Sequence, residues 1–251
     1  LLDGNKLLGE SYQNTGLTHS QTIMVMAEDL LKQCGKTVDD VTAVAVAEGP
    51  GSFTGVRIGV AAAKGFAWGA QLPCYGVSTL ESMARWLGVW SGYVCCCMDA
   101  RRNQVYNAIF RVENGELKRI SEDRAIALSA LKEELVHIDG PIYLVGDGAP
   151  LCHRTLSGGV GNLVMPAGHR MHQRAVGVGL IAARELTAGV PGDAIEVTYV
   201  AKGGGSECFG GTRHRIVAFA DGIAGIEKSV IESFVASARA GAVCPPSVLV
   251  I

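Results

Sequence analysis

The sequence predicts an α/β protein with a parallel sheet component, arranged in two related lobes. Three observations carry this. A β-branched apolar run, "VTAVAVAEG" (41–49), passes through a glycine turn straight into a long helical pattern. Strand and helix patterns then alternate down the chain, and a hairpin precedes the alternation.

The elements follow in order. "LLDGNKLLGESYQ" (1–13) reads as two short strands around the Asp3-Gly4 turn. In "LTHSQTIMVMAEDLLKQCG" (17–35), Thr18 offers a cap and Ile23, Met26, Ala27, Leu30 and Leu31 recur at helical spacing up to Gly35. The strand 41–49 leads into a helix over "SFTGVRIGVAAAKGFAWGA" (52–70). "PCYGVSTLESMARWLG" (73–88) gives a short strand and a further helix. The segment 93–126 reads as strand, turn, strand, a hairpin at Asn114-Gly115, and strand. "PIYLVGDGAP" (141–150) is a strand running into a glycine turn, and "RAVGVGLIAARELTAG" (174–189) is a helix stopped by Gly189.

Composition narrows the function classes. With 251 residues, 48% hydrophobic and 18% charged, the chain is long and apolar enough to bury a sizeable core. A net charge of −2 gives it no electrostatic reason to hold nucleic acid alone, because phosphate binding needs clustered Lys and Arg. Neither a membrane span nor a secretory leader is expected, so a cytoplasmic protein with reduced cysteines is the default. Cys95, Cys96 and Cys97 are adjacent on a strand, where alternation sends neighbours to opposite faces and favours small apolar filling over a shared metal.

The turn "EGPGS" (48–52) admits two uses. A glycine turn between strand and helix presents backbone N–H groups to an anion, but G-x-x-x-x-G-K-[ST] and G-x-G-x-x-G are both absent, and no triad is tied to Ser52. The alternative is packing. Gly55, Gly59, Ala61, Ala62, Ala63, Gly65, Ala67 and Gly69 let another helix come close, with Gly59 and Ala62 as the expected approach. The Met-striped helix before it is the natural companion. The pair either offers an apolar face to a partner or covers the chain's own sheet.

"HSQTIMVMAEDLL", "EGPGSFTGVRIGVAAAKGFAWGAQLPCYGVSTLESMA" and "MDARRNQVYNAIF", in this order and spacing, resemble the TsaB (YeaZ) family over roughly residues 1–202. The resemblance implies the actin, sugar kinase and Hsp70-like architecture, two lobes of ribonuclease H-like topology. It divides the chain into an N-terminal lobe (1–90) that lacks its first strand, a C-terminal lobe (91–202) and a divergent tail (203–251). It implies a non-catalytic scaffold for tRNA threonylcarbamoyladenosine biosynthesis, paired with a TsaD-like catalytic subunit and joined by a TsaE-like ATPase. Threonylcarbamoyl would be transferred to the adenosine next to the anticodon. ATP and a metal are expected on those partners and no cofactor on this chain alone; tRNA would be met only through the complex, and a homodimer is expected in isolation. The family's interface helices match 18–33 and 52–69, which places His19, Ile23, Met26, Ala27, Leu30, Phe53, Val56, Arg57, Gly59, Ala62 and Ala63 at the partner face.

The residues support a non-catalytic reading independently. A His-x-x-x-His pair puts two imidazoles on one helix face, yet Ile23 stands four residues after His19 and no two of the six histidines are four apart. His169 and His172, three apart, read as a solvated cationic loop. Asp99, Arg101 and Arg102 end a buried strand where α/β proteins gather functional groups; they form either a functional turn or an Arg–carboxylate brace for the next hairpin. Asp147 in "VGDGAP" reads as a tight turn. In the tail, "GGGSECFGGTR" (203–213) resembles a linker, followed by a strand, helix, strand periodicity. Two other classes stay open: an ATP-dependent small-molecule kinase of the same fold, and a metallopeptidase-like hydrolase.

Overall fold

The protein's computed structural model describes residues 1–13, 22–192, 195, 197–199, 212–214 and 247–251. The expected cap Thr18 and most of the tail lie outside them. In chain order the elements are β1 (Leu2–Asp3), β2 (Lys6–Leu7), α1 (Ile23–Gln33), β3 (Val41–Gly49), α2 (Phe53–Ala70), β4 (Cys74–Ser78) and α3 (Thr79–Leu87). Then come β5 (Gly92–Asp99), β6 (Gln104–Glu113), β7 (Glu116–Arg119), β8 (Arg124–Ala127), α4 (Leu128–Leu135), β9 (Ile142–Val145), α5 (Ala149–Leu156) and β10 (Leu163–Val164). Helix α6 (Ala175–Thr187) and strands β11 (Val197–Tyr199), β12 (Thr212–His214) and β13 (Ser247–Val250) complete the order.

Local chemistry sets the helix ends. Ser52 Oγ accepts the Gly55 N–H at 3.4 Å to open α2, and Ser78 Oγ accepts the Glu81 N–H at 3.2 Å to open α3. Helix α3 stops at Gly88, whose φ of 64° a side chain would resist.

Two sheets result. The first runs β2-β1-β13-β3-β4 and the second β10-β9-β5-β6-β7, with β8 also paired to β6. Helices α3 and α6 share the layer between them. Leu80, Met83, Ala84 and Leu87 of α3 pack on Val94, Cys96, Ala108 and Phe110 of the second sheet. Val178, Ile181 and Ala182 of α6 pack on Ala43, Ala45, Tyr75, Val77 and Val248 of the first. The two helices cross tightly, because any side chain at Gly177 would run into the Ser82 carbonyl. Residues of α1 and α2 share the core on the first sheet's other face, and those of α4 and α5 share the core on the second's. The layers therefore alternate helix, sheet, helix, sheet, helix.

Two placements depart from the sequence reading. Helix α6, inside the span assigned to the C-terminal lobe, packs on the first sheet. The central position of that sheet, expected to be missing, is held by β13 from the tail: Ser247–Val250 pair antiparallel with β1 and parallel with β3. Val248 and Leu249 are fully buried there, so β-branched and apolar side chains of the tail hold the centre of the sheet.

Candidate partner interface

Helix α2 buries one face and presents another. Val60, Ala63, Phe66 and Ala67 join Val44 and Val46 of β3 in the first lobe's core. Phe53, Arg57 and Trp68 lie exposed along one side of the helix, while Ala61 and Lys64 between them are half-buried, with Lys64 Nζ donating to the Ile195 carbonyl at 3.2 Å. Phe53 is 57% exposed and Trp68 72%, large values for aromatic side chains. The Arg57 guanidinium stacks 3.7 Å from the Phe53 ring centroid. On α1, Val25 is 55% exposed.

Several residues expected at the partner face are elsewhere. Ala27, Ala62 and Ala63 are buried in the chain's own core, and a side chain added at Gly59 would meet Val46 of β3 at 3.7 Å. Ala62 and Ala63 let α2 sit close to its own sheet, which corrects the expected helix approach at Ala62; the contact at Gly59 is an ordinary one from a half-buried position. Val56 is half-buried against the same core. Ile23, Met26 and Leu30 are half-buried and line a cavity of about 250 Å³, walled on the other side by Glu10, Tyr12, Gln13, Ala175 and Val250. His19 lies outside the described residues. Val25 and Trp68 are exposed apolar side chains that the sequence reading does not single out; the spacing of Trp68 from Phe53 and Arg57 on one helix face was the available signal.

The glycine turn at the mouth of α2 is a close-approach device. Gly49 adopts φ 123°, outside the reach of most side chains. A side chain at Gly51 would meet Val56 at 3.1 Å and Met98 of the second lobe at 4.0 Å. Across from it, Asp99 Oδ1 accepts the Arg101 N–H at 2.7 Å and Arg101 lies 3.4 Å from Asp99 Oδ2. Arg101, Arg102 and Asn103 are all left-handed, with φ of 68°, 54° and 57°. Asp99 thus braces the turn between β5 and β6. Asp147 has a further part: its Oδ1 accepts the Asp99 N–H at 3.1 Å, tying the turn after β9 to the end of β5.

The cysteines pack as the strand alternation requires. Cys95 and Cys97 face the α4–α5 core while Cys96 faces α3. Hydrogen bonding from Cys152 and Cys95, with burial, pushes the Cys97 thiol well up, and burial does the same to Cys96. Thiols held protonated and dry are poor nucleophiles. Among the described residues no group of three or more His, Cys, Asp or Glu side chains is placed to hold a metal ion, and His169 sits exposed in a short helical turn over Gly168–Arg170.

Two sheets of this topology joined through a shared helix pair define an actin, sugar kinase and Hsp70-like two-lobed protein. The sequence profile of the family described as "TsaD: tRNA N6-adenosine threonylcarbamoyltransferase" matches residues 13–151. The tRNA threonylcarbamoyladenosine biosynthesis protein TsaB of Bacillus subtilis is 34% identical over 151 residues, 60% of this chain and 66% of the relative. TsaB of Escherichia coli is 40% identical over 139 residues, covering 52% and 58%. The chain thus spans about three fifths to two thirds of the curated relatives it matches. YeaZ from Pseudomonas aeruginosa superposes with a TM-score of 0.55 at 23% identity, over 72% of this chain and 83% of that one, which shows the shared fold. The chain belongs to the threonylcarbamoyltransferase family of that profile and, within it, to the TsaB (YeaZ) group.

Proposed function

We propose that this protein is the accessory subunit of a tRNA-modifying complex, binding a TsaD-like catalytic subunit that transfers threonylcarbamoyl to the adenosine next to the anticodon. The observation that carries the reading is the outward stripe of α2, with exposed aromatic residues at both ends and a cation between, in a chain of this family. An apolar helix face of this kind acts by binding the partner more tightly in its competent state, which shifts that state's population. ATP and the metal belong in this reading to the catalytic subunit and a TsaE-like ATPase, and tRNA is engaged through the assembled complex. The low net charge agrees with that division of labour. The same stripe supports a homodimer when the partner is absent, and the assembly operates in the cytoplasm. No helix among the described residues is long and apolar enough to cross a membrane. No observation favours the kinase or the metallopeptidase-like alternative.

The test is reconstitution of threonylcarbamoyl transfer from purified subunits. The reading expects no transfer from this chain alone, none or little from the catalytic subunit alone, and full transfer when both are present. Full activity of the catalytic subunit and ATPase without this chain would sink it.

A further inference from the structure

The exposed side of α2 carries one sign of charge. Between its aromatic ends, Phe53 and Trp68, stand two cations, Arg57 and Lys64, and the helix contains no Asp or Glu. Lys64 is half-buried and donates to the Ile195 carbonyl. A carbonyl orients that ammonium without neutralising it. Arg57 is exposed and ordered differently, with its guanidinium over the Phe53 ring. Guanidinium N–H donors lie in the plane of the group, so a carboxylate can approach edge-on while the ring still covers one face.

The spacing of these cations distinguishes two occupants of the stripe. A second copy that meets the stripe with its own is related by a two-fold axis. With the axis across the helix, the Phe53 end of one copy meets the Trp68 end of the other. Arg57, four residues after Phe53, then falls opposite Lys64, four residues before Trp68. With the axis along the helix, Arg57 falls opposite Arg57. Both arrangements bring like charges together, which is how specific interfaces reject wrong partners. We propose that Arg57 selects the occupant of α2: a partner face with apolar contacts for Phe53 and Trp68 and a carboxylate between them binds in preference to a second copy of this chain. That this partner is the catalytic subunit rests on the function proposed above; the bias against self-pairing does not.

Neutralising the charge tests both halves, because it should move two affinities in opposite directions. In Arg57→Gln, self-association measured by sedimentation equilibrium should tighten by roughly threefold to tenfold, since the like-charge contact is gone. Affinity for the purified catalytic subunit, measured by calorimetric titration, should fall by a similar factor, and in Arg57→Glu by roughly tenfold or more. Arg57→Lys keeps the charge and should leave self-association as weak as in the parent. Raising NaCl from about 0.05 M to about 0.5 M should weaken the parent's binding to the catalytic subunit and strengthen its self-association. Arg57 is exposed, so the variants should fold, and matching melting curves check this. No gain in self-association in Arg57→Gln, or an equal gain in Arg57→Lys, overturns the bias against self-pairing. A catalytic subunit that binds parent and Arg57→Gln equally overturns the facing carboxylate. If it binds neither while Arg57→Gln still self-associates more tightly, the proposed function fails and the bias stands.

Discussion

Arg57 lies one helical turn beyond Phe53, and its guanidinium sits 3.7 Å from the centroid of the Phe53 ring on the exposed half of α2. A cation over an aromatic face pre-orders both side chains in solvent, so less side-chain entropy is lost when a partner covers them. Phe53→Ala and Trp68→Ala, at the two ends of the stripe, should each weaken association with the catalytic subunit by about 1–3 kcal/mol, as truncated aromatic anchors do. The thermal midpoint should barely move, because both rings are outside the core. Calorimetric titration beside a melting curve separates the two effects. Equal affinity for both variants would take the stripe out of the interface.

Gly59 gives the opposite expectation. A Cβ there would touch Val46 of the chain's own β3 at an ordinary 3.7 Å, so it is the outer carbons of Gly59→Leu that crowd the sheet, at a cost of about 1 kcal/mol of stability. Urea denaturation should show a lower midpoint, while partner affinity of the folded fraction stays near the parent's. Lost binding at unchanged stability would return Gly59 to the partner face.

Asn107 is fully buried. Its Nδ2 donates to the Cys96 carbonyl at 2.9 Å, and its Oδ1 accepts from Arg124 Nε at 3.3 Å and from an Arg124 terminal N–H at 3.2 Å. Asn107→Leu removes these partners while leaving the shape nearly filled. The Cys96 carbonyl loses this donor, while Arg124 keeps its pair with Glu134, so the loss should be about 1–2 kcal/mol. Equilibrium unfolding measures this, and a loss below about 0.5 kcal/mol would mean that water or rearrangement satisfies the carbonyl.

The alternation of strands and helices was legible in the sequence because those elements have strong periods. The 41–49 run is a strand, and the glycine stops at 35 and 189 fall just past the ends of α1 and α6. Helices α4 and α5 were not anticipated, although Leu128, Leu131 and Leu135 sit at helical spacing and are buried together. Helix α4 lies between a strand ending near Ile126 and the "PIYLV" strand, α5 follows that strand's glycine turn, and each is only eight residues long, too short for its period to stand out beside the strand signals. The placement of β13 could not be read, since pairing between residues more than 200 apart leaves no local signature. The candidate interface was half legible. Spacing shows that two faces of α2 differ, but small residues allow close approach to a partner or to a sheet equally well, and only burial decides between them.

Glu185 on α6 supplies a pH dependence. Burial, with a smaller push from Glu81, raises its carboxyl above the ordinary value. The native state therefore holds this proton more tightly than the unfolded chain, and stability contributed here is complete below the ordinary carboxyl value and falls as pH rises through the raised one. Glu185→Gln should be more stable than the parent at about pH 7, with the difference fading towards about pH 4. Melting curves across that range check the sign. A variant less stable at neutral pH would show that contact with Arg184 outweighs the burial.

The remaining prediction separates assembly from chemistry. Asp99 Oδ1 accepts the Arg101 N–H, and Ser52 caps α2 through the Gly55 N–H. Both side chains thus have structural work, and His169 is exposed in a turn. Removing a cap or a turn brace costs about 1 kcal/mol, too little to unfold a domain of ordinary stability. Ser52→Ala, Asp99→Ala and His169→Ala should therefore lower a reconstituted threonylcarbamoyl transfer rate only as far as they lower the amount of complex. Met26→Asp should reduce both together, because it puts a carboxylate into the apolar space between α1 and residues 12–13. The assay compares initial rates with complex concentration measured in the same mixtures. If Asp99→Ala or Ser52→Ala assembles fully and the rate is gone, the turn facing α2 carries chemistry, and this chain is part of the catalytic centre.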